Sequence, residues 1–206
     1  HDINSEDIGY KIAPLINAVG RIDDPTLIIN LLTNSSESEI NKLTNKIFSI
    51  NKERKRMTLL IENEANEIAK NELKKGRNFL VLTKREWHPG IIGIVAARML
   101  DKYNLPTAIL SVADDGIFRG SIRSNENLKV NLALEECSEI LISYGGHSAA
   151  AGFKIKEENI YKLSEKLNNI AIREFKNCNL NKSIKPDAYI SLGDVNPHFY
   201  SQLTLL

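Results

Sequence analysis

The run Gly145-Gly146-His147-Ser148-Ala149-Ala150-Ala151, closed by Gly152, combines residue types suited to holding a phosphate. Paired glycines reach backbone angles that other residues avoid. Consecutive free N–H groups in such a turn can form a concave anion nest. His147 can hydrogen-bond a phosphate or, when protonated, offset its charge. The small residues after it let backbone pack closely where a side chain would intrude. Such a cradle binds an anion; it does not by itself catalyse.

Three other segments carry compatible chemistry. Trp87-His88-Pro89-Gly90 falls between an expected strand and a helix N-terminus. Free N–H groups and the helix dipole favour anions there. Trp87 reads as a core anchor. His88 is open between a phosphate ligand and a loop histidine bonded to backbone. Gly90, Gly93 and Ala97 give the following helix a small face for close packing on a sheet. Arg119-Gly120-Ser121-Ile122-Arg123-Ser124 reads as a strand, whose alternation places Arg119, Ser121 and Arg123 on one face and Ile122 in the core. Guanidinium forks and a hydroxyl suit phosphate oxygens. On spacing alone, a solvated edge strand bearing surface charge is the plainer reading. Asn17, Gly20 and Arg21 form a weaker set, for which a turn after Pro14 is the plain account.

What is missing is sharper. A two-metal phosphodiesterase clusters carboxylates and histidines around ions about 3.5–4 Å apart. Here His1, His88, His147 and His198 are far apart in sequence, and Asp23-Asp24 and Asp114-Asp115 sit in turn or cap contexts. There is no P-loop and no Ser or Cys nucleophile motif. No metal ligand and no catalytic residue are expected on this chain.

The elements that must position these residues follow from pattern. The 206 residues, 42% hydrophobic and 26% charged, suit an ordinary globular protein with a sizeable core. A net charge of +1 makes any polyanion binding a matter of local patches. No apolar run approaches the roughly 20 residues that span a bilayer. Cys137 and Cys178 suggest neither a zinc set nor a disulfide framework, and a reducing, cytoplasmic setting is expected. The chain begins without Met and stops inside Leu203-Thr204-Leu205-Leu206, which reads as a piece of a longer protein.

Asp24-Pro25 opens a short helix to about Leu32. Ser36 and Glu39 have capping-box spacing. Behind them Ile40, Leu43, Ile47, Ile50, Met57 and Ile61 mark one long amphipathic helix to about Leu73, read as a spacer between domains rather than a core element. Its run Lys52-Glu53-Arg54-Lys55-Arg56 reads as a solvated face, with a groove-facing patch as the minority reading. After Gly76, strands are expected at 79–82, 106–112, 118–123 and 153–155, and helices at 91–103, 128–142 and 157–175. That alternation predicts a compact α/β domain over 76–176, with a mixed sheet flanked by helices. Residues 177–185 read as a linker, 187–192 as a strand of whatever follows, and Asn196-Pro197 as the cap of another helix.

Taken in order, Ile12-Ala13-Pro14-Leu15-Ile16-Asn17-Ala18-Val19-Gly20-Arg21, Trp87-His88-Pro89-Gly90-Ile91-Ile92-Gly93-Ile94-Val95-Ala96, Gly120-Ser121-Ile122-Arg123-Ser124 and the Gly145–Gly152 run resemble the bacterial RecJ single-strand-specific exonucleases of the DHH phosphoesterase superfamily. The resemblance spans nearly the whole chain. It implies that residues 1–34 end a DHH domain, 35–75 form the connecting helix, 76–176 form the DHH-associated substrate-binding domain, and 177–206 lead into an OB-fold-like domain. It implies a 5′-to-3′ exonuclease of single-stranded DNA in repair and recombination, with Mn²⁺ or Mg²⁺ held outside this chain. It assigns phosphate contacts to Arg21, Ser121, Arg123 and His147; with the candidates read from residue chemistry, the expected phosphate-binding set is Arg21, Asn17, His88, Ser121, Arg123, Gly145, Gly146 and His147. Repair partners such as a helicase or a single-strand-binding protein are conceivable, and no membrane is. Two alternatives stay open: a non-catalytic module for single strands or RNA ends, and a small-nucleotide phosphodiesterase of the oligoribonuclease or cyclic-dinucleotide kind.

Overall fold

Apolar residues recurring every three or four positions along one helix organise two cores. In a computed structural model, which describes residues 3–34, 36–114, 116–176 and 186–204, that helix is α3 (Glu37–Lys74), about 57 Å long at 1.5 Å per residue. Its first half buries Ile47 and Ile50 against Ala18 and Val19 of α1 (Ala13–Ile22), with Leu27, Ile28 and Leu31 of α2 (Thr26–Thr33) packed alongside. Its second half buries Ile61, Ala65 and Ala69 against the sheet domain. The helix is therefore a shared core element, not a bare spacer. Ser36 makes no side-chain cap bond, so the expected capping box does not form. Glu39 pairs instead with Lys42 at 2.7 Å. The segment after Pro14 is a helix rather than a turn, because Pro fits the first turn of α1 and Ala18 and Val19 fall on its buried side.

Five strands form one mixed sheet: β1 (Leu80–Thr83), β2 (Thr107–Asp114), β3 (Ile117–Arg123), β4 (Leu141–Gly146) and β5 (Ala150–Lys156). Their order is β1-β2-β3-β5-β4, with only β1 and β2 parallel. The parallel step is bridged by α4 (Ile92–Tyr103). One face carries Ala108, Leu110, Phe118, Ile122, Ala151, Phe153 and Ile155, sealed by α5 (Val130–Glu135) and α6 (Ile160–Phe175). The other face carries Leu80, Leu82 and Ile109 under α4 and α3. These helices cover the β1–β2 side, and the β3–β5–β4 side of this face lines an open cleft.

Three local expectations are overturned. The helix expected over 128–142 stops at Glu135, and Leu141–Gly146 is a strand. Pairing with β5 outweighs the weak helical pattern there, as tertiary context commonly does. Second, β3 is central rather than an edge, with β2 on one side and β5 on the other. Third, 187–192 holds no strand; Ser191 and Asp194 form a capping box around a short 3₁₀ turn. Asn196 does cap α7 (Pro197–Leu203), accepting from the Phe199 N–H at 3.0 Å. The expected linker 177–185, which includes Cys178, lies outside the described residues. Cys137 is buried, and that burial pushes its thiol up to about 11.

Trp87, the only tryptophan, is a core anchor: it is 3% exposed, and its Nε1 donates to Glu64 Oε2 of α3 at 2.7 Å. The hydrogen bonds from Lys84 and then Trp87 hold the Glu64 carboxyl below its ordinary value of 4.5. A depressed carboxyl stabilises the fold above its unfolded value and loses that contribution as pH falls through the folded value. The melting-temperature advantage of wild type over Glu64→Gln is therefore expected to shrink as pH drops from neutrality to below 4.5. Trp87 fluorescence melts at several pH values check it, and a pH-independent gap contradicts it.

Candidate functional site

Alternation along β3 sends Arg119, Ser121 and Arg123 to the face opposite Phe118 and Ile122. Antiparallel pairing then sets the row Arg119–Lys154–Ser143 and the row Ser121–Gly152–Gly145 on that face. The second row has a hydroxyl at one end and two positions with no side chain. A Cβ at Gly145 meets nothing within 4 Å, and one at Gly152 meets only the Gly120 carbonyl oxygen, at 3.7 Å. The glycines therefore form a low floor that a methyl would occupy.

The walls come from elsewhere in the chain. Gly93, in the first turn of α4, would place a Cβ 3.1 Å from Ser121 Oγ and 3.3 Å from Arg123 Nη2. Its bareness lets the helix start close against these groups. Arg123 Nη1 donates to Ser121 Oγ at 3.1 Å and to the Ile122 carbonyl at 2.8 Å, which fixes the fork. Gly90 lies so near α1 that a Cβ there would sit 1.9 Å from the Arg21 carbonyl oxygen. Arg21 Nη1 in turn donates to the Gly90 carbonyl at 3.4 Å. His88 Nδ1 accepts from the Gly90 N–H at 3.1 Å, so His88 both braces the loop and lines the cleft.

The result is a cleft of about 700 Å³ that includes Arg21, His88, Arg119, Ser121, Arg123 and Lys154 in its lining, and no carboxylate. Burial, and then the charge of Arg21, pull the Arg123 guanidinium below the ordinary arginine value. Its charge is thus held where water and counter-charge are scarce, and an anion would relieve it. Phosphate oxygens match this set by charge and by fork geometry. A divalent cation does not. The lining lacks any carboxylate, and among the described residues no group of three or more His, Cys, Asp or Glu side chains is placed to hold a metal.

Of the residues singled out from sequence, the cleft gathers Arg21, His88, Ser121, Arg123 and Gly145. Gly146 and His147 follow on the β4–β5 hairpin, outside the lining residues. Asn17 lines an adjoining cavity of about 520 Å³, which shares Gly20 and Arg21 with the cleft. The anion nest expected of the glycine pair is not what forms. Gly145 and Gly146 are strand residues paired with Gly152 and Ala151, and the His147 N–H donates to the Ala150 carbonyl at 2.8 Å. Gly146 has φ +146° and would drive a Cβ to 2.5 Å from the Ala150 carbonyl, so it serves the turn while Gly145 serves the floor. Lys154 escaped the sequence reading because its place opposite Arg119 depends on strand register. Arg119 carried a signal, its alternation with Ser121 and Arg123.

Residues 76–173 match the DHHA1 domain family, and the sheet with its flanking helices is a DHHA1 domain. Within that class the chain is RecJ-like. It is 35% identical over 171 residues to the single-stranded-DNA-specific exonuclease RecJ of Bacillus subtilis, a match covering 82% of this chain and 22% of that protein. The crystal structure of RecJ with Mg²⁺ from Thermus thermophilus superposes with a TM-score of 0.73 at 28% identity, covering 81% of this chain and 26% of that one. A crystal structure of exonuclease RecJ bound to manganese gives 0.72 at 25% identity, covering 86% and 44%. The chain spans only about a fifth to a third of the curated relatives it matches. No helix among the described residues is long and apolar enough to cross a membrane.

Filling the floor tests the geometry. Gly145→Ala and Gly152→Ala are expected to leave the melting temperature nearly unchanged, since neither methyl meets a clash. Each should weaken binding of a 5′-phosphorylated oligonucleotide by about tenfold, the equivalent of roughly 1.4 kcal/mol of lost fit. Fluorescence anisotropy alongside thermal melts reads both; unaltered affinity in both variants would remove the floor from the site.

Proposed function

We propose that this chain supplies the substrate grip of a RecJ-like exonuclease that hydrolyses single-stranded DNA from its 5′ end in the bacterial cytoplasm, in repair and recombination. The observation that carries this reading is a cleft walled by Arg21, Arg119, Arg123 and Lys154, floored by two glycines, with no acidic side chain in its lining. Ser121 Oγ and the Arg123 fork bind non-bridging oxygens of one phosphate. Arg119 and Lys154 hold charge beside it, and His88, whose Nδ1 is taken by the Gly90 N–H, offers its Nε2 at the rim. Gly145 and Gly152 let the backbone of the strand lie flat on the sheet. Gly146 and His147 set the hairpin that ends this floor, with His147 reaching the substrate once it is bound. Asn17 and Arg21 belong to the part that faces the catalytic domain.

On this reading residues 1–34 end that domain, 35–75 connect it, 76–176 bind substrate, and 177–206 lead towards a further single-strand-binding domain. The metal ions of the full-length enzyme, Mn²⁺ or Mg²⁺, are held outside this chain and activate the attacking water there. The residues described here bind and orient the strand. That binding alone accounts for a large share of such a rate, because positioned reactants avoid much of the entropic cost.

Two measurements test the proposal. This chain by itself is expected to release no nucleotides from single-stranded DNA with Mn²⁺; metal-dependent release would refute the division of labour. In the full-length protein, Arg123→Ala and His147→Ala should each lower turnover on the order of 100-fold, as losing one positioned donor commonly does, with Mn²⁺ affinity intact. Unchanged kinetics in both, or hydrolysis confined to dinucleotides, would shift the reading to a binding module or a small-nucleotide phosphodiesterase.

A further inference from the structure

On the cleft face, the row beside the glycine floor reads Arg119–Lys154–Ser143. Its first two members are cations set directly opposite one another on the antiparallel pair β3–β5. Like charges in that position work against strand pairing. Nothing in the row offsets them. Ser143 follows on β4, Ser111 precedes on β2, and the cleft lining holds no carboxylate. Cations close by are paired, Arg85 with Glu157 and Lys156 with Glu158. Among the described residues, Arg119 and Lys154 enter no ion pair. Two cations facing each other across a cleft with no counter-charge need a reason.

Register fixes how far this pair stands from Ser121 and Arg123. Arg119 and Ser121 are neighbours on one face of β3, and Lys154 and Gly152 are neighbours on the same face of β5. Each step of two residues along a strand spans roughly 7 Å. Adjacent phosphates of an extended single strand are separated by much the same length, because a whole sugar lies between them. The phosphates of a polyphosphate tail, joined through a single oxygen, stand far closer together. Between the two sets of cations, Gly152 and Gly145 leave the sheet bare, which gives the intervening sugar a place to lie. All of these residues line the same cleft.

We propose that Arg119 and Lys154 form a second phosphate subsite, with the Ser143 hydroxyl at its β4 end, so that the cleft holds two successive phosphates of one strand laid along β3. This rests on the reading of Ser121 and Arg123 as the first phosphate site. A phosphate between Arg119 and Lys154 replaces their mutual repulsion by two charge-assisted contacts. A nucleotide with one phosphate fills the first subsite and leaves the second empty, so the two kinds of ligand must respond differently to loss of the pair.

The experiment uses the full-length protein without metal, to keep the ligands intact. Binding of thymidine 5′-monophosphate, thymidine 5′-diphosphate and the 5′-phosphorylated thymidine dinucleotide is compared in wild type, the double variant Arg119→Gln/Lys154→Gln, and Arg123→Ala. Wild type is expected to bind the dinucleotide about tenfold more tightly than either mononucleotide, the size of one added contact to a charged group. The double variant should lose that margin and bind the monophosphate as wild type does. Dinucleotide affinity unchanged in the double variant overturns the proposal. Equal loss of monophosphate and dinucleotide, with or without a lowered melting temperature, overturns it too. A diphosphate that binds as tightly as the dinucleotide, and loses that margin in the double variant, also overturns it, because the second subsite then reads a polyphosphate end rather than a strand. Arg123→Ala tests the first site alone: a weakened monophosphate keeps the cleft reading whatever the double variant does, and an unaffected one removes that reading instead.

Discussion

The site depends on one close approach. The carbonyl of Arg21, near the end of α1, sits where a side chain on Gly90 would have to be, 1.9 Å from an ideal Cβ. Only glycine allows this, and no small adjustment of a flexible side chain relieves it, because the blocking atoms are backbone. The contact seats the helical N-terminal segment against the Trp87–Gly90 loop and brings Arg21 to the cleft. The same loop is anchored below by Trp87, buried and bonded to Glu64 of α3. One helix, one loop and one glycine thus bring together cations from residues that are about a hundred positions apart.

Charge gives this geometry its meaning. Four ion pairs along α3 link residues three positions apart, and exposed pairs of that kind add little stability. The cleft arginines have no such partners, and burial and like-charge repulsion act against Arg123. A fold that keeps guanidinium groups half-buried and uncompensated gives up stability that a bound anion returns. The glycine floor complements this. Where a side chain on β4 or β5 would fill the face, Gly145 and Gly152 leave room for an extended ligand to lie along the sheet.

Much of this was legible in the residues. Alternation in 119–123 placed Arg119, Ser121 and Arg123 on one side before any partner strand was known, because the pleat has a period of two whatever surrounds it. The bare face of Gly90 and Gly93, the core role of Trp87 and the capping of α7 by Asn196 were equally local. The failures share a cause. Residues 128–142 looked helical, yet Leu141–Gly146 pairs with β5, and pairing between segments is invisible to a local window. The same pairing turned the expected nest at Gly145-Gly146 into a strand end. It also moved β3 from edge to centre and set Lys154 opposite Arg119.

The sequence by itself determined which residue types were available and which face of each element they occupied, since side-chain periodicity and glycine's lack of a Cβ are properties of the chain alone. It also settled the long helix, whose apolar spacing and freedom from Gly and Pro run through to Leu73. Only the tertiary structure decided which of those faces meet. Register between β3, β5 and β4 chose the rows of the cleft, and the approach of α1 to Gly90 chose Arg21 as its wall. The turn of α3 drew Arg54 out of a basic run whose other lysines and arginine stay in solvent. These are choices among long-range contacts. Their free energies come from burial and charge shared by segments distant in sequence, so no one segment encodes them.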